Sequence, residues 1–301
     1  MSIASDRRKD VRWKMPSLTD MSKYKLNHYM IRIKDPKESV KFYQFLGMTV
    51  VDKLEFPDNK FDLYFLGFDS VKAKSHGKST FDREGLIELT HNCGTENDPN
   101  YRINNGNMEH HTGFTYIYLP DYPDGYWIKL LSEGSNRNAS ETSSTDVATY
   151  CLNHATLRVK DGKKSLEFYQ NVLGLSLLKI IGNSADGFNV YLLGYASTHD
   201  IANTGGVDRA EGLLGLMWKF GTESQDELQY HNGNDEPQGF GHICISVDKL
   251  DAACKRFETM DVPWKKRLTD GRMKNVAFLL DPDGYWIELV QNERFTGKAN
   301  F

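Results

Sequence analysis

Residues 281–289 read Asp-Pro-Asp-Gly-Tyr-Trp-Ile-Glu-Leu, which combines a tight turn with the start of a β-strand. Proline presets φ, aspartate bonds to its own backbone and glycine accepts a positive φ, so Asp-Pro-Asp-Gly favours a turn. Side chains alternate along a strand, which places Trp286, Glu288 and Val290 on one face. Burying a carboxylate on such a face is costly unless a cation or a substrate pairs with it. The alternative is that Glu288 lies on the solvated face of an edge strand.

The composition describes a water-soluble globular protein with room for two domains. The 301 residues (34.4 kDa) carry a net charge of −4, which gives no general attraction to nucleic acid or to an anionic membrane. No apolar run approaches the length of a membrane span, and the N-terminal stretch lacks the apolar core of a signal peptide. The cysteines lack Cys-x-x-Cys spacing and are expected to be reduced thiols of a cytoplasmic protein: Cys93, Cys151, Cys244 and Cys254.

A long internal repeat divides the chain. Short motifs recur in the same order at a nearly constant offset, which indicates a duplication. They include Leu26-Asn27-His28 and Leu152-Asn153-His154, and Asp124-Gly125-Tyr126-Trp127-Ile128 and Asp283-Gly284-Tyr285-Trp286-Ile287. We therefore predict five parts: an N-terminal arm (1–25), repeat one (26–133), a polar linker (134–150), repeat two (151–293) and a C-terminal tail (294–301). The arm is expected to be ordered only where Trp13, Met15 or Leu18 docks.

Repeat one begins with the pattern of a strand, a helix and three further strands. The alternation of residues 26–33 predicts a strand with His28 and Arg32 on one face. Asp35-Pro36 then predicts a helix cap and first turn, and Gly47 predicts the end of the helix. Further strands are predicted at 48–54, 61–68 and 86–92.

The second half of the pattern is complete only in repeat two. There a helix with apolar residues on one face is followed by the basic loop 265–274 and a strand at 276–280. Repeat one lacks this segment and keeps only two predicted strands, 114–119 and 126–131. An error in the defined sequence would give the same pattern.

These motifs resemble the glyoxalase I (lactoylglutathione lyase) family of the vicinal oxygen chelate superfamily, in its single-chain form with two repeats. The similarity covers about residues 26–292. Its most specific pieces are Leu86-Ile87-Glu88-Leu89-Thr90-His91-Asn92, Gly239-Phe240-Gly241-His242-Ile243, Gly271-Arg272-Met273-Lys274 and the 281–289 stretch. The resemblance implies an α+β fold of tandem β-α-β-β-β modules, with each site formed between modules of different repeats.

The resemblance implies one complete metal site in this chain. Its ligands are His28 and Glu88 from repeat one, and His242 and Glu288 from repeat two. Nitrogen and oxygen ligands without thiolate suit zinc, nickel, cobalt or iron and leave room for two substrate oxygens. The two-repeat form of the family implies zinc, with nickel as the alternative.

The mirror site is expected to be inactive. Its positions hold His154, Gly215, Tyr116 and Lys129. Glycine offers no ligand, a protonated tyrosine is a poor one, and lysine places a cation where the metal would lie. The losses therefore fall in one crossed set of positions, while the other set is intact.

The resemblance also implies the chemistry. The expected substrate is the hemithioacetal of methylglyoxal and glutathione, with glutathione as cosubstrate, and the product is S-lactoylglutathione, as in methylglyoxal detoxification. Glu288 is the expected base, and Glu88 the ligand that serves as base for the opposite epimer. The residues expected to bind substrate are Arg32, Asn92, Lys266, Arg272, Met273 and Trp286. Each of the cations among them has the alternative of being a solvated surface residue.

Two other interpretations stay open. The missing segment allows a catalytically silent homologue that binds glutathione conjugates or a protein partner, because the loss exposes apolar surface. An extradiol dioxygenase on the same fold would use two histidines and one carboxylate, and the fourth ligand argues against it. Because one duplicated chain contains a complete ligand set, a monomer is expected.

Overall fold

The computed structural model describes residues 19–116, 123–130, 146–183, 185, 187–195 and 206–301. The helices are α1 (Pro36–Phe45), α2 (Gly162–Glu167) and α3 (Leu250–Thr259). The strands are β1 (Lys25–Ile33), β2 (Thr49–Phe56), β3 (Phe61–Gly67), β4 (Leu86–Asn92), β5 (His154–Val159), β6 (Ser176–Asn183), β7 (Phe188–Gly194), β8 (Leu213–Lys219), β9 (Phe240–Val247), β10 (Trp264–Lys266), β11 (Val276–Leu280) and β12 (Trp286–Gln291). In chain order they form three successive β-α-β-β-β modules, which confirms the predicted α+β class.

Aspartate caps begin the first helix of each repeat. The carboxylate of Asp35 accepts a hydrogen bond from the backbone N–H of Lys37 (2.9 Å) at the start of α1. Asp161 accepts the corresponding bonds from the backbone of Lys163 and Lys164 at the start of α2. The repeated Lys-Asp motif at the end of the first strand therefore begins a helix in both repeats.

The three modules form two sheets of unequal size. The larger sheet has the strand order β10-β11-β12-β9-β1-β4-β3-β2, and the smaller one has the order β5-β8-β7-β6. Strand β1 pairs with β4 in parallel and with β9 in antiparallel orientation. The first module of repeat one and the last module of repeat two therefore share one sheet, while the first module of repeat two forms the smaller sheet by itself over the residues that the structure describes.

The strands predicted at 114–119 and 126–131 are wrong over the residues that the structure describes. Phe114 forms only an isolated bridge with Leu157 on β5, and residues 123–130 are turn, irregular backbone and one bridging position. A strand needs hydrogen-bonded neighbours, and the segment that would provide them is missing from repeat one. The module predicted to be truncated consequently contributes no regular strand to the described part of the smaller sheet.

The segments between and beyond the repeats pack on the core where they are described. A Cβ atom at Gly47 would lie 2.2 Å from Cγ1 of Val147, so residues 146–150 at the end of the predicted linker cover the turn after α1. At the C-terminus, the ring of Phe301 lies 5.6 Å from that of Phe81. The expected docking sites Trp13, Met15 and Leu18 lie outside the described residues. No helix in the described ranges combines the length and apolarity needed to cross a membrane.

Candidate metal centre

Four adjacent strands of the larger sheet each carry one of the predicted ligands. In the strand order β12-β9-β1-β4 these are Glu288, His242, His28 and Glu88. All four residues are buried, with at most 8% of the surface exposed. The sequence places these residues in two groups far apart in the chain, and the crossed pairing of modules brings the groups together.

The strand register explains why the side chains converge. Glu88 on β4 and His242 on β9 both pair with Met30 on β1. Directly paired residues point to the same face of a sheet, and so do residues two apart on one strand. His28, two residues before Met30, therefore shares a face with both of them.

The ligand atoms lie close enough to surround one cation. Nε2 of His28 is 2.9 Å from Oε2 of Glu88 and 3.3 Å from Oε2 of Glu288. Nε2 of His242 is 3.2 Å from Nε2 of His28, 3.4 Å from Oε2 of Glu288 and 3.9 Å from Oε2 of Glu88. Metal bonds of about 2.1 Å place neighbouring ligand atoms roughly 3 to 3.4 Å apart. The spacing of the four atoms therefore fits a divalent metal ion.

Asn27 determines which nitrogen of His28 is available to bind a metal ion. Its amide donates to the carbonyl oxygens of Thr80 (2.9 Å) and Arg83 (2.8 Å), so its own oxygen faces Nδ1 of His28 at 2.8 Å. In the neutral ring Nδ1 of His28 must then carry the hydrogen, which leaves the lone pair on Nε2, the nitrogen that points at the carboxylates. Asn27 was not predicted as a site residue, although it belongs to the repeated Leu-Asn-His motif.

Thr90 orients one of the two carboxylates. Its hydroxyl donates to Oε1 of Glu88 at 2.8 Å, and Oε2 of Glu88 is left to face the histidines. Thr90 lies two residues after Glu88 on β4, so the two side chains share a face. Sequence analysis missed this residue too, and its signal is the Glu-Leu-Thr spacing.

The site attracts positive charge. Burial would lower the pKa of His28, but the hydrogen bonds and charges of Glu288 and Glu88 raise it to about 9. Burial would likewise raise the pKa of Glu288, yet His242 and His28 hold it well below its usual value. A divalent cation between these groups would satisfy both carboxylates and replace the proton on His28, as expected for a metal site.

Aromatic rings surround the two histidines. The rings of Phe65 and Phe81 lie edge-on to His28, at centroid distances of 5.3 Å and 6.3 Å, and Phe278 lies 5.4 Å from His242. These rings restrict the orientation of the imidazoles and keep the surroundings apolar. Electrostatic interactions inside such a site are stronger than in water.

Two predicted substrate-binding cations are bonded to backbone carbonyls. The guanidinium of Arg32 donates to carbonyl oxygens within residues 233–240 and to Oδ1 of Asn234 (2.9 Å). The ammonium of Lys266 donates to the carbonyl oxygen of Met273 (2.7 Å). Both cations thus fasten loops that border the site, and their contact with substrate stays a prediction.

Two of the other predicted substrate residues, Asn92 and Trp286, lie on the same face of the sheet as the ligands on their own strands. Asn92, at the end of β4, is half-buried, Arg272 is exposed, and Met273 packs on a small apolar cluster that includes Val290. The ammonium of Lys265 lies 4.7 Å from the ring centroid of Trp286, a cation–π contact that sequence analysis did not single out. Whether these side chains bind substrate also stays a prediction.

The sequence matches one family model in both repeats. Residues 25–134 and 151–289 match the Glyoxalase/Bleomycin resistance protein/Dioxygenase superfamily. The chain belongs to this superfamily. The resemblance identified from the motifs is thereby confirmed, and so is the prediction of two glyoxalase-type repeats.

Fungal glyoxalase enzymes resemble this chain over nearly its whole length. The lactoylglutathione lyase of Schizosaccharomyces pombe is 40% identical over an alignment of 318 positions, which covers 93% of this chain and 100% of that protein. Glyoxalase I of Saccharomyces cerevisiae is 40% identical over 305 residues, covering 88% and 91%. The first alignment is longer than the 301 residues of this chain, so this chain lacks positions that the S. pombe protein has.

A crystal structure of glyoxalase I from Zea mays has the same fold. It matches with a TM-score of 0.62, covers 91% of this chain and 94% of its own, and is 20% identical in sequence. At that identity the match supports the fold alone.

The mirror position in this chain has the opposite electrostatics. Burial and then the positive charge of Lys129 lower the pKa of His154 to about 4. The ammonium of Lys129 lies 5.6 Å from the ring centroid of Tyr116. A Cβ atom at Gly215 would lie 2.6 Å from Oγ1 of Thr156, so a side chain there would require Thr156 to move. The mirror position therefore repels the cation that the first site attracts.

Proposed function

We propose that this chain is an active lactoylglutathione lyase with one metal site, built from His28, Glu88, His242 and Glu288. The enzyme class is the one for which its full-length fungal relatives are named. The observation that carries the proposal is the convergence of these four buried side chains from both repeats. The chemistry requires a metal ion, and the spacing and charge of this ligand set suit one.

The proposed reaction is an isomerisation that needs no further reactant. The substrate is the hemithioacetal of methylglyoxal and glutathione. A carboxylate removes the proton from the carbon that bears sulphur and returns it to the neighbouring carbonyl carbon, while the hydroxyl proton moves between the two oxygens. The product is S-lactoylglutathione, and a positioned carboxylate contributes about 10²- to 10⁴-fold to such a proton transfer.

The surroundings of the two carboxylates favour Glu288 as the base. A divalent metal held here would stabilise the negative charge that develops on the two substrate oxygens. Glu88 is held by the hydroxyl of Thr90, whereas Glu288 lies beside the thiol of Cys244, a weaker donor. Glu288 is therefore freer to leave its ligand position and move a proton, and Glu88 serves as base for the opposite epimer.

The remaining partners follow from the same site. We propose zinc as the metal, with nickel as the alternative, because the ligands are two imidazoles and two carboxylates. The positive charges of Arg32, Lys266 and Arg272 attract the carboxylates of glutathione. The residues that line the glutathione-binding channel are Asn92, Met273 and Trp286. One chain contains all four ligands, so we propose a monomer, and the free cysteines suit a cytoplasmic location.

Thioester formation from methylglyoxal and glutathione tests the proposal directly. Metal-stripped protein is refilled with zinc or nickel, and ultraviolet absorbance follows the product. We expect turnover only in refilled protein, and a loss of at least about 100-fold in Glu288→Gln because the base is gone.

Lys129→Gln is the matched control, since Lys129 is the mirror equivalent of Glu288. It is expected to leave turnover unchanged. If Lys129→Gln reduced the rate as much as Glu288→Gln, the assignment of the active half would be wrong. Absence of thioester in every refilled sample would instead support a silent homologue that binds glutathione conjugates.

A further inference from the structure

A second group of potential metal ligands lies on the opposite face of the larger sheet. Asp62, His91 and Cys93 each offer one ligand atom, and these atoms lie within 4.8 Å of one another. Asp62 on β3 pairs directly with His91 on β4, and Cys93 follows two positions later. Residues two apart and directly paired residues share a face, while His91 is an odd number of positions from Glu88. The group is therefore separate from the proposed catalytic site.

His91 has a buried nitrogen that points into this group. The residue is only 5% exposed, and among the described residues its Nδ1 has no hydrogen-bond partner. Nδ1 lies 3.7 Å from Oδ2 of Asp62, beyond hydrogen-bonding distance. A buried polar atom without a partner is rare and calls for an explanation such as an ion.

Glu96 fixes the proton of His91 on the other nitrogen. Nε2 of His91 lies 2.8 Å from Oε2 of Glu96, which also accepts a bond from the backbone N–H of Gly94 (2.9 Å). A carboxylate can only accept, so Nε2 carries the hydrogen, and in the neutral ring Nδ1 holds a lone pair. A carboxylate bonded to the far nitrogen of a histidine is the usual support of a metal-binding imidazole.

Repeat two provides an internal comparison. The equivalent positions there hold Asn189, Trp218 and Phe220. The indole N–H of Trp218 donates to Oε2 of Glu223 at 3.0 Å, just as His91 does to Glu96. The fold therefore needs only an N–H donor at the position of His91. The carboxylate of Asp62, Nδ1 of His91 and the thiol of Cys93 are found only in repeat one.

We propose that Asp62, His91 and Cys93 bind a second divalent cation of the zinc type. An oxygen, a nitrogen and a thiolate form a ligand set that zinc accepts, with the fourth position open because Cys93 is exposed. Zinc bonds of about 2.1 Å place two ligand atoms roughly 3.4 Å apart in tetrahedral geometry, close to the 3.7 Å between Nδ1 of His91 and Oδ2 of Asp62. Binding would displace the thiol proton of Cys93, and the two anionic ligands would neutralise the cation.

Cobalt titration of the full-length protein tests this site, since a thiolate bound to cobalt gives a charge-transfer band that imidazole and carboxylate do not give. We expect wild-type protein to bind two equivalents of Co²⁺ and to show the thiolate band. Cys93→Ser is expected to abolish the band. Asp62→Asn introduces the residue that repeat two has at this position. It is expected to weaken binding of the Co²⁺ equivalent at the Asp62, His91 and Cys93 site at least tenfold.

Two controls separate this proposal from the proposed function. Cys151→Ser changes another accessible cysteine and is expected to keep the band, and Glu288→Gln weakens only the equivalent bound at the catalytic site. The proposal is overturned if wild-type protein lacks the band, if the band survives in Cys93→Ser, or if Glu288→Gln abolishes it. None of these outcomes depends on thioester formation.

Discussion

Asn27 illustrates how a single amide determines what its neighbour binds. Both amide hydrogens of Asn27 are held by carbonyl oxygens, so its oxygen directs the proton of His28 to Nδ1. Asn153 makes the same bonds in repeat two, to the carbonyl oxygens of Val207 and Ala210, and lies 2.6 Å from Nδ1 of His154. The duplication therefore supplies a matched pair of residues, only one of which supports a complete ligand set.

We expect Asn27→Leu to weaken metal affinity by about 10- to 100-fold, because His28 loses the bond that orients its ring and fixes its proton. Asn153→Leu loses the same number of buried hydrogen bonds but is expected to leave metal affinity unchanged. Competition with a chromogenic chelator measures the affinity, and chemical denaturation shows that both variants fold. Equal losses of affinity would assign Asn27 a purely structural role.

The resemblance of short motifs to the glyoxalase I family was enough to name the four candidate ligands, because each ligand lies at a fixed place in one of those motifs. Neither Asn27 nor Thr90 could be predicted in the same way. Their effect depends on which carbonyls or carboxylates approach them from other strands, and that is a property of the folded chain. Lys265 was missed for the same reason, since its ring partner Trp286 lies on a different strand.

At the scale of elements, the first strand of each repeat is bonded to a loop of the other. Arg32 on β1 bonds to residues 233–240, and Arg158 on β5 donates to the carbonyl oxygen of Gly106 (2.9 Å) and to Oδ1 of Asn107 (2.8 Å). Between the two sets of bonds, the rings of Phe114 and Phe240 stack at a centroid distance of 5.0 Å. These two sets of bonds therefore join the repeats in addition to the pairing of β1 with β9.

Replacing each arginine separates its structural role from its role in binding. Arg32→Met and Arg158→Met should each lower the free energy of unfolding by about 3 kcal/mol, because each leaves carbonyl acceptors without a charged donor. Only Arg32→Met is expected to raise KM for the hemithioacetal, since Arg158 borders the mirror position. Denaturation and steady-state kinetics measure the two effects, and an unchanged KM in Arg32→Met would limit Arg32 to joining the repeats.

Most elements of the complete modules could be predicted from alternation, caps and turns, with strand ends displaced by one or two residues. The exceptions are the strands expected at 114–119 and 126–131. Their sequences have strand character, but strand formation depends on neighbouring strands that repeat one lacks. The local sequence pattern therefore predicts strands at these residues, but without the missing segment the strands do not form.

At the scale of the whole molecule, the two repeats meet at a close contact before β4 and β8. A Cβ atom at Gly212 would lie 2.7 Å from the carbonyl oxygen of Leu26, and one at Gly85 would lie 3.1 Å from N of Gly212. The contact leaves Oε2 of Glu211 buried, and among the described residues it has no hydrogen-bond partner. Burial, and then the charge of Glu84, raise the pKa of Glu211 to about 7.

This contact makes stability depend on pH. The ordinary pKa of Glu211 is 4.5, and in the folded chain it is about 7. Between pH 4.5 and about pH 7, the folded chain therefore holds a proton that the unfolded chain has lost. The contribution of Glu211 to the free energy of unfolding is fully present below the lower pKa and declines as pH rises through the upper one. The free energy of unfolding of wild type relative to Glu211→Gln should therefore fall across this window in denaturation curves. A constant difference would show that Glu211 titrates normally.

Metal binding should stabilise both repeats together. A ligand present at 100 times its Kd adds about 2.7 kcal/mol to the free energy of unfolding. Because the ligands come from four strands and both repeats, we expect zinc to raise the midpoint of a single unfolding transition. His242→Gln should reduce this increase, whereas His154→Gln in the mirror position should keep it. Scanning calorimetry with and without a chelator provides the comparison, and an equal reduction in both variants would contradict the proposed ligand set.

The crossed pairing of modules has a consequence for how substitutions are tolerated along the chain. The opening module of repeat one and the closing module of repeat two supply the whole ligand set, so damage to the other two modules cannot remove a ligand. Saturation mutagenesis under selection for aldehyde resistance should therefore find the ligand positions, such as Glu88 and His242, intolerant, and their mirror equivalents, such as Lys129, tolerant.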